Sequence, residues 1–143
     1  VFKKHELDDM VRQVIRKYAK IFISKKIKMD FIPTKACIVT DEKWFIFVLE
    51  QIISNALKYT KKGQISIYMK EKALVIEDTG IGIPAEDLPR IFEKGFTGYN
   101  GRENKKSTGI GLYLCKNIMD KLQWIITVDS KVGSGTKIYL TKM

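Results

Sequence analysis

The run Ala73-Leu74-Val75-Ile76 is apolar and partly β-branched, and it ends directly on Glu77-Asp78-Thr79-Gly80-Ile81-Gly82-Ile83-Pro84. No other junction in the chain limits the possible folds so tightly. A strand's period of two puts Asp78 on the same face as Leu74 and Ile76, so an acid is aimed inward at a strand end. Burying a carboxylate is costly unless donors meet it, and glycines at 80 and 82 let the backbone come close to whatever supplies them. A lone D-x-G-x-G reads first as a tight turn with a solvated aspartate. The rest of the chain argues for a ligand site instead.

With 45% hydrophobic residues over 143 positions, residues 1–143 read as one soluble domain that buries its own core. No apolar run approaches the ~18 residues of a membrane span. No signal-peptide pattern is present, and the first residue is Val1, so the sequence reads as a piece of a longer protein. Cys37 and Cys115 sit in apolar segments without metal-ligand spacing and read as reduced core thiols; the single histidine, His5, excludes a histidine-based metal site or triad within this chain. The net charge of +10 fits nucleic acid, an anionic surface, an acidic partner or polyphosphate equally well.

In chain order, Leu7, Met10, Val11, Val14, Ile15, Tyr18, Ile21 and Phe22 recur at helical spacing and predict one amphipathic helix, with Arg12, Arg16 and Lys20 along its solvated face. Ile27, Met29 and Phe31 alternate as a strand, and Ala36 to Val39 reads as its short partner. Asp41 is a suitable N-cap for a second helix whose buried stripe is Trp44, Phe45, Val48, Leu49, Ile52, Ile53, Ala56 and Leu57. Near the end of that helix Gln51, Asn55, Lys58 and Tyr59 gather amides, a cation and an aromatic ring, a set suited to metal, phosphate and base. Gln64 to Lys70, with Ile65, Ile67 and Met69 inward, pairs with the strand that delivers Asp78. A short helical piece is expected over Ala85 to Phe92.

Glu93 to Thr108 is long and rich in Gly, Lys and Asn, which suggests a mobile cationic lid. Gly109-Ile110-Gly111-Leu112 then enters a helix with Cys115, Ile118, Met119 and Leu122 inward, and amides at a helix start can cradle phosphate. A hairpin, Trp124 to Asp129 and Thr136 to Leu140, closes the chain. Neither a G-x-x-x-x-G-K-[ST] loop nor the catalytic loop of eukaryotic-type kinases is present.

The order of these elements resembles the ATP-binding catalytic domain of bacterial sensor histidine kinases, within the wider group that includes gyrase, the heat-shock chaperone of 90 kilodaltons and mismatch-repair ATPases. Glu50 to Thr60 looks like the family's N box, Asp78 to Pro84 its first glycine box, and Ile91 to Phe96 its F box. Gly109-Ile110-Gly111-Leu112 looks like the second glycine box and Gly133-Ser134-Gly135-Thr136 the third. Five motifs stand in the family's order, and the resemblance covers nearly the whole chain.

The resemblance implies a Bergerat-type α/β two-layer sandwich, a mixed sheet with helices on one face, that binds ATP and Mg²⁺. It implies that Asp78 accepts the exocyclic amine of adenine and that Thr136 helps to hold the same edge, directly or through water. Asn55 binds the Mg²⁺ on this reading, Lys58 meets phosphate, and Tyr59 packs near the base. Gly80, Gly82, Ile83, Phe92, Thr108, Gly109, Ile110, Gly111 and Leu112 complete the nucleotide-binding set, with Gly109 and Gly111 letting backbone amides reach the phosphates. The implied activity is transfer of the γ-phosphoryl group to a histidine on a separate dimerisation and phosphoacceptor domain. A response regulator downstream, a homodimeric full-length protein and a cytoplasmic position under a bacterial membrane anchor follow from the same resemblance. The strings Glu50 to Thr60 and Phe92 to Gly98 look most like kinases that sense antimicrobial peptides, which implies an ABC transporter as a membrane partner.

Two departures stand out. Gln51 occupies a position where Asn or Asp is usual, and Ser107 one where Gly is common; both keep hydrogen-bonding ability, so altered metal geometry or affinity is expected. ATPase relatives place a glutamate one turn before the metal-binding asparagine, where Gln51 offers no base; Glu50 lies about 100° round the helix from it. His5-Glu6-Leu7 matches the start of the family's phosphoacceptor motif, but Asp8, Asp9 and Met10 follow and no helical hairpin fits, so His5 reads as an ordinary surface residue. Two other readings compete. One is an autonomous ATPase; the other is a basic nucleic-acid module whose glycine loops are only turns, which lacks the aromatic and basic interleaving of single-strand binders. No specific nucleic-acid partner is expected.

Overall fold

In the computed structural model, residues 1–96 and 111–143 are described. In chain order they form β1 (Phe2–Glu6), α1 (Leu7–Lys17), α2 (Ala19–Lys25), β2 (Ile27–Phe31), β3 (Cys37–Asp41), α3 (Glu42–Tyr59), β4 (Gly63–Lys70), β5 (Ala73–Asp78), a 3-10 turn (Leu88–Arg90), α4 (Gly111–Leu122), β6 (Trp124–Lys131) and β7 (Gly135–Lys142). The main sheet runs β2-β4-β5-β7-β6, and β1 and β3 make a separate two-stranded sheet.

Among the described residues, only β2 and β4 pair in parallel. Parallel neighbours need a crossover, and here it carries β3 and α3 back over the sheet. The registers Ile67↔Ile76, Ile76↔Ile138, Leu74↔Leu140 and Ile126↔Leu140 set one apolar face across four strands. Against that face pack Leu7, Met10, Val11 and Val14 of α1, Phe45 to Leu57 of α3, and Cys115, Met119 and Leu122 of α4. Phe45 meets Trp124 edge to face at 5.1 Å, fastening α3 to β6. On the opposite face Val75 is buried between Tyr68 and Tyr139, and Tyr68 donates to Glu77 at 2.6 Å, whose carboxylate pushes the phenol up to about 12. Helices on one face of a mixed sheet give the expected two-layer α/β sandwich.

Several local expectations give way. The strand β1 was not foreseen, and it, not β2, pairs with β3, from Phe2↔Asp41 to Glu6↔Cys37. The predicted first helix is two helices. At Tyr18 the backbone turns to φ −102° and ψ 8°, and its N–H is shared between Val14 and Ile15 carbonyls at 3.3 and 3.2 Å. The turn sends Phe22 into the core and leaves Ile21 and Ile23 exposed. Trp44 and Cys37 are exposed as well, so neither belongs to the core. Helix from Ala85 to Phe92 shrinks to the 3-10 turn, because Pro89 offers no N–H and is held at the helix start. Asp41 caps α3 as expected, accepting from Trp44 N at 3.2 Å.

Candidate functional site

At one end of the apolar face the rows turn polar. Asp78 stands opposite Thr136, and Thr136 opposite Ser130, so three adjacent strands present an acid and two hydroxyls in one line. By the period of two, all three point to the side of Ile76, Ile138 and Val128, under the helices.

Asp78 is held there by its own loop. Its Oδ1 accepts from Gly80 N at 2.9 Å. Burial raises the Asp78 pKa above the usual carboxylate value; the Gly80 and Thr136 amides work against this, Glu77 adds to it, and Thr60 opposes it least. The Thr60 hydroxyl is fully buried and has no partner of ordinary hydrogen-bond geometry, so its effect on Asp78 is that of a nearby dipole. A half-buried carboxylate beside an orphaned hydroxyl fits a ligand edge that can donate hydrogen bonds. The exocyclic amine of adenine is such an edge.

The glycines have a different first duty from the one the sequence implies. A Cβ on Gly80 would lie 2.4 Å from the Tyr59 carbonyl oxygen, and one on Gly82 would lie 2.2 Å from that of Lys131. What they approach closely is the protein's own backbone. Ile81 N donates to Tyr59 O at 3.1 Å, and Gly133 N donates to Ile81 O at 3.0 Å, so the loop is clasped between the end of α3 and the β6–β7 hairpin. Gly135, at φ +113°, packs on β5 so tightly that a Cβ would meet the Asp78 carbonyl oxygen at 2.0 Å. Thr79 completes the clasp by accepting from Gln64 N at 2.9 Å.

The second group lies on α3. Gln51 and Asn55 are one turn apart, and the Gln51 Oε1 would stand 3.2 Å from a Cβ on Gly111, the first residue of α4. Lys58 Nζ lies 5.9 Å from the Tyr59 ring centroid, and among the described residues it pairs with no carboxylate. Glu50 accepts from Lys17 Nζ of α1 at 2.7 Å. Among the described residues no cluster of three or more His, Cys, Asp or Glu side chains gathers. Neutral amide oxygens suit a Mg²⁺ ion that arrives with phosphates, since it keeps most of its shell from phosphate and water.

Asp78, Gly80, Gly82, Ile83 and Thr136 are brought together in one clasp with the Tyr59 backbone. No hydrogen bond or ion pair among the described residues joins Asn55 or Lys58 to it. Phe92 and Leu112 are half-buried against the core. Thr108, Gly109 and Ile110, with most of the expected lid, fall in 97–110 and lie outside the described residues. Two residues escaped the sequence reading. Thr60 reads as the end of a helix, and Ser130 as one more polar residue in a hairpin. For Ser130 a signal existed: with Thr136 opposite Asp78, a tight hairpin sets a β6 residue beside Thr136.

The profile of the family described as histidine kinase-, DNA gyrase B- and HSP90-like ATPase matches residues 40–143. The sensor histidine kinase YxdK of Bacillus subtilis is 37% identical over 148 residues, covering 96% of this chain and 45% of YxdK. The sensor histidine kinase GraS of Staphylococcus haemolyticus is 39% identical over 145 residues, covering 98% of this chain and 42% of GraS. The chain thus spans less than half the length of these relatives. In fold it is similar to the catalytic domain of histidine kinase ThkA, with a TM-score of 0.80 at 20% identity over 99% of this chain and 95% of that one.

Proposed function

The chain belongs to the histidine kinase-, DNA gyrase B- and HSP90-like ATPase family, and on that premise we propose that it binds Mg·ATP and passes the γ-phosphoryl group to a histidine. The acceptor is a dimerisation and phosphoacceptor domain, and the setting is a two-component sensor kinase. The observation that carries this reading is Asp78, a half-buried acid fixed by the Gly80 amide directly across the sheet from Thr136. Such an acid reads a donor at the base edge, and adenine offers one where guanine offers a carbonyl oxygen.

Asn55 would hold the Mg²⁺, which when bound neutralises charge on the phosphate oxygens. Lys58, with no carboxylate partner among the described residues, is available to phosphate. Gly111 starts α4 beside Gln51, so the N-terminal amides of that helix face the same region. The attacking group is an imidazole nitrogen of the phosphoacceptor domain. Its bond to the γ-phosphorus forms as the bond to the bridging oxygen breaks, ADP leaves, and the imidazole proton goes to a base on that domain. Glu50, engaged by Lys17, supports transfer over autonomous hydrolysis.

The same reading brings a response regulator as the next phosphate acceptor, a homodimeric whole protein, and a membrane anchor that holds this domain on the cytoplasmic side. The resemblance of the strings Glu50 to Thr60 and Phe92 to Gly98 to kinases that sense antimicrobial peptides supports a kinase that works beside an ABC transporter. Calorimetric titration with ATP and GTP, with Mg²⁺ and with EDTA, tests the core of the proposal. ATP should bind with Mg²⁺ and GTP should not; equal affinity for both nucleotides would remove the base-reading role of Asp78.

A further inference from the structure

Ser130 sits where three segments meet. Its Oγ accepts from Ile83 N at 2.8 Å, donates to the Gly135 carbonyl oxygen at 2.9 Å, and lies 2.8 Å from the Thr136 hydroxyl. A serine hydroxyl has one proton and two lone pairs. The Gly135 carbonyl can only accept, so the Ser130 proton is committed to it. The remaining bond to Thr136 must therefore use the Thr136 proton, and Ser130 is then saturated with one bond given and two received.

The consequence falls on Thr136. With its proton turned toward Ser130, its oxygen keeps lone pairs and nothing to donate. Thr136 lies in register with Asp78 and is half-buried beside it. Two neighbouring groups therefore act as acceptors only, one charged and one neutral. From this we propose that Ser130 is a specificity-determining positioning residue: it fixes the polarity of Thr136 so that this hydroxyl accepts a hydrogen bond from the base and cannot give one. The inference rests on the nucleotide-binding reading above and deepens it.

An amine at C6 of the purine satisfies such a pocket, whereas a C6 carbonyl meets lone pairs on both sides. In Ser130→Ala the Thr136 hydroxyl is released to rotate and donate, and the carbonyl base is no longer refused twice. The same bond network ties the Ile83 amide to the hairpin, so overall affinity falls too. That loss is common to every purine; the change in preference is not.

The test is titration of the purified chain with Mg·ATP and Mg·ITP, which differ in C6 amine against C6 carbonyl and in the N1 proton. Ser130→Ala should narrow the preference for ATP by about tenfold, the worth of one hydrogen bond. Ser130→Thr, which keeps the hydroxyl, should restore it. Thr136→Val should narrow the preference by itself while leaving both other Ser130 bonds intact, and Ser130→Ala added to Thr136→Val should change the preference no further. Equal weakening of ATP and ITP in Ser130→Ala would reduce Ser130 to a structural tie and overturn the proposal. If Ser130→Ala does not fold, an unchanged preference in Thr136→Val overturns it equally. Failure of the wild-type chain to bind ATP, or to prefer it, strikes the nucleotide-site reading itself and is distinct from both.

Discussion

The Glu50 carboxylate accepts a hydrogen bond from the Lys17 ammonium at 2.7 Å, which ties α3 to α1 and turns the acid away from the Gln51 and Asn55 face. Lys17 is raised in pKa, first by that hydrogen bond and then by the charge of Glu50. The acid nearest in sequence to Asn55, the proposed metal-binding position, is therefore engaged elsewhere. Hydrolysis of ATP by these residues alone should be very slow, and Glu50→Gln should leave it unchanged. Gln51→Glu should raise phosphate release by up to about a hundredfold, the lower range for a positioned general base. A continuous phosphate assay distinguishes the three proteins.

Asp78→Asn should separate binding from stability. The amide presents a donor to the adenine amine, so ATP affinity should fall about ten- to a hundredfold, the range for a hydrogen bond to a charged group. Stability should move the other way. Because the folded-state pKa of Asp78 is raised, the native state holds its proton more tightly than the unfolded chain, and stability is lost as pH rises through that range. At neutral pH the charged, buried acid destabilises the fold, so the mutant should melt a few degrees higher. Below the ordinary carboxylate value of 3.8 the difference should vanish, as thermal melts across pH will report.

Asp8 has the opposite sign. Burial pulls its pKa up, but the Thr34 and Lys35 amides at 2.9 and 3.0 Å and the Thr34 hydroxyl at 2.8 Å more than offset this, and the net shift is downward. Its contribution is complete above 3.8 and fades as pH falls toward the lowered value. Asp8→Ala should cost about 1–3 kcal/mol in urea titrations at pH 7, because it strands donors that fasten the β2–β3 connection to α1. At pH 3 the penalty should shrink.

Gly135→Ala should damage both the fold and the site. Its backbone sits at φ +113°, and the added methyl would meet the Asp78 carbonyl oxygen at 2.0 Å. The loss should be about 1–3 kcal/mol in urea, together with weakened ATP binding as β5 and β7 part at Asp78 and Thr136. Gly133→Ala is the control: it also has positive φ, but a Cβ there meets nothing within 4 Å, so it should cost less and spare binding.

Much of the site was legible because each part carries a local signature. Ala73 to Ile76 could only be a buried strand, which fixes the face of Asp78; Asp41 and the stripe from Phe45 to Leu57 fix α3. What escaped depends on contacts remote in sequence. In β1, Phe-Lys-Lys-His-Glu has no apolar alternation, and its pairing with β3 is held by backbone bonds that leave no trace in composition. The break at Tyr18 has neither glycine nor proline to mark it. Thr60 and Ser130 are common polar residues whose importance lies in which atoms they face, and pairing register alone reveals that.

The position of β7 has a consequence for how the protein is made. It lies between β5 and β6, so the last strand of this sequence to leave a ribosome is an interior strand of the sheet. Until Gly135–Lys142 has emerged, β5 has an open edge, Asp78 lacks Thr136, and Ser130 lacks two of its three partners. On the proposed site, nucleotide cannot template folding of a chain that has emerged only as far as β6, because Thr136 has yet to pair with Asp78. A chain ending before Gly135 would leave the edges of β5 and β6 bare, which exposes it to aggregation or degradation.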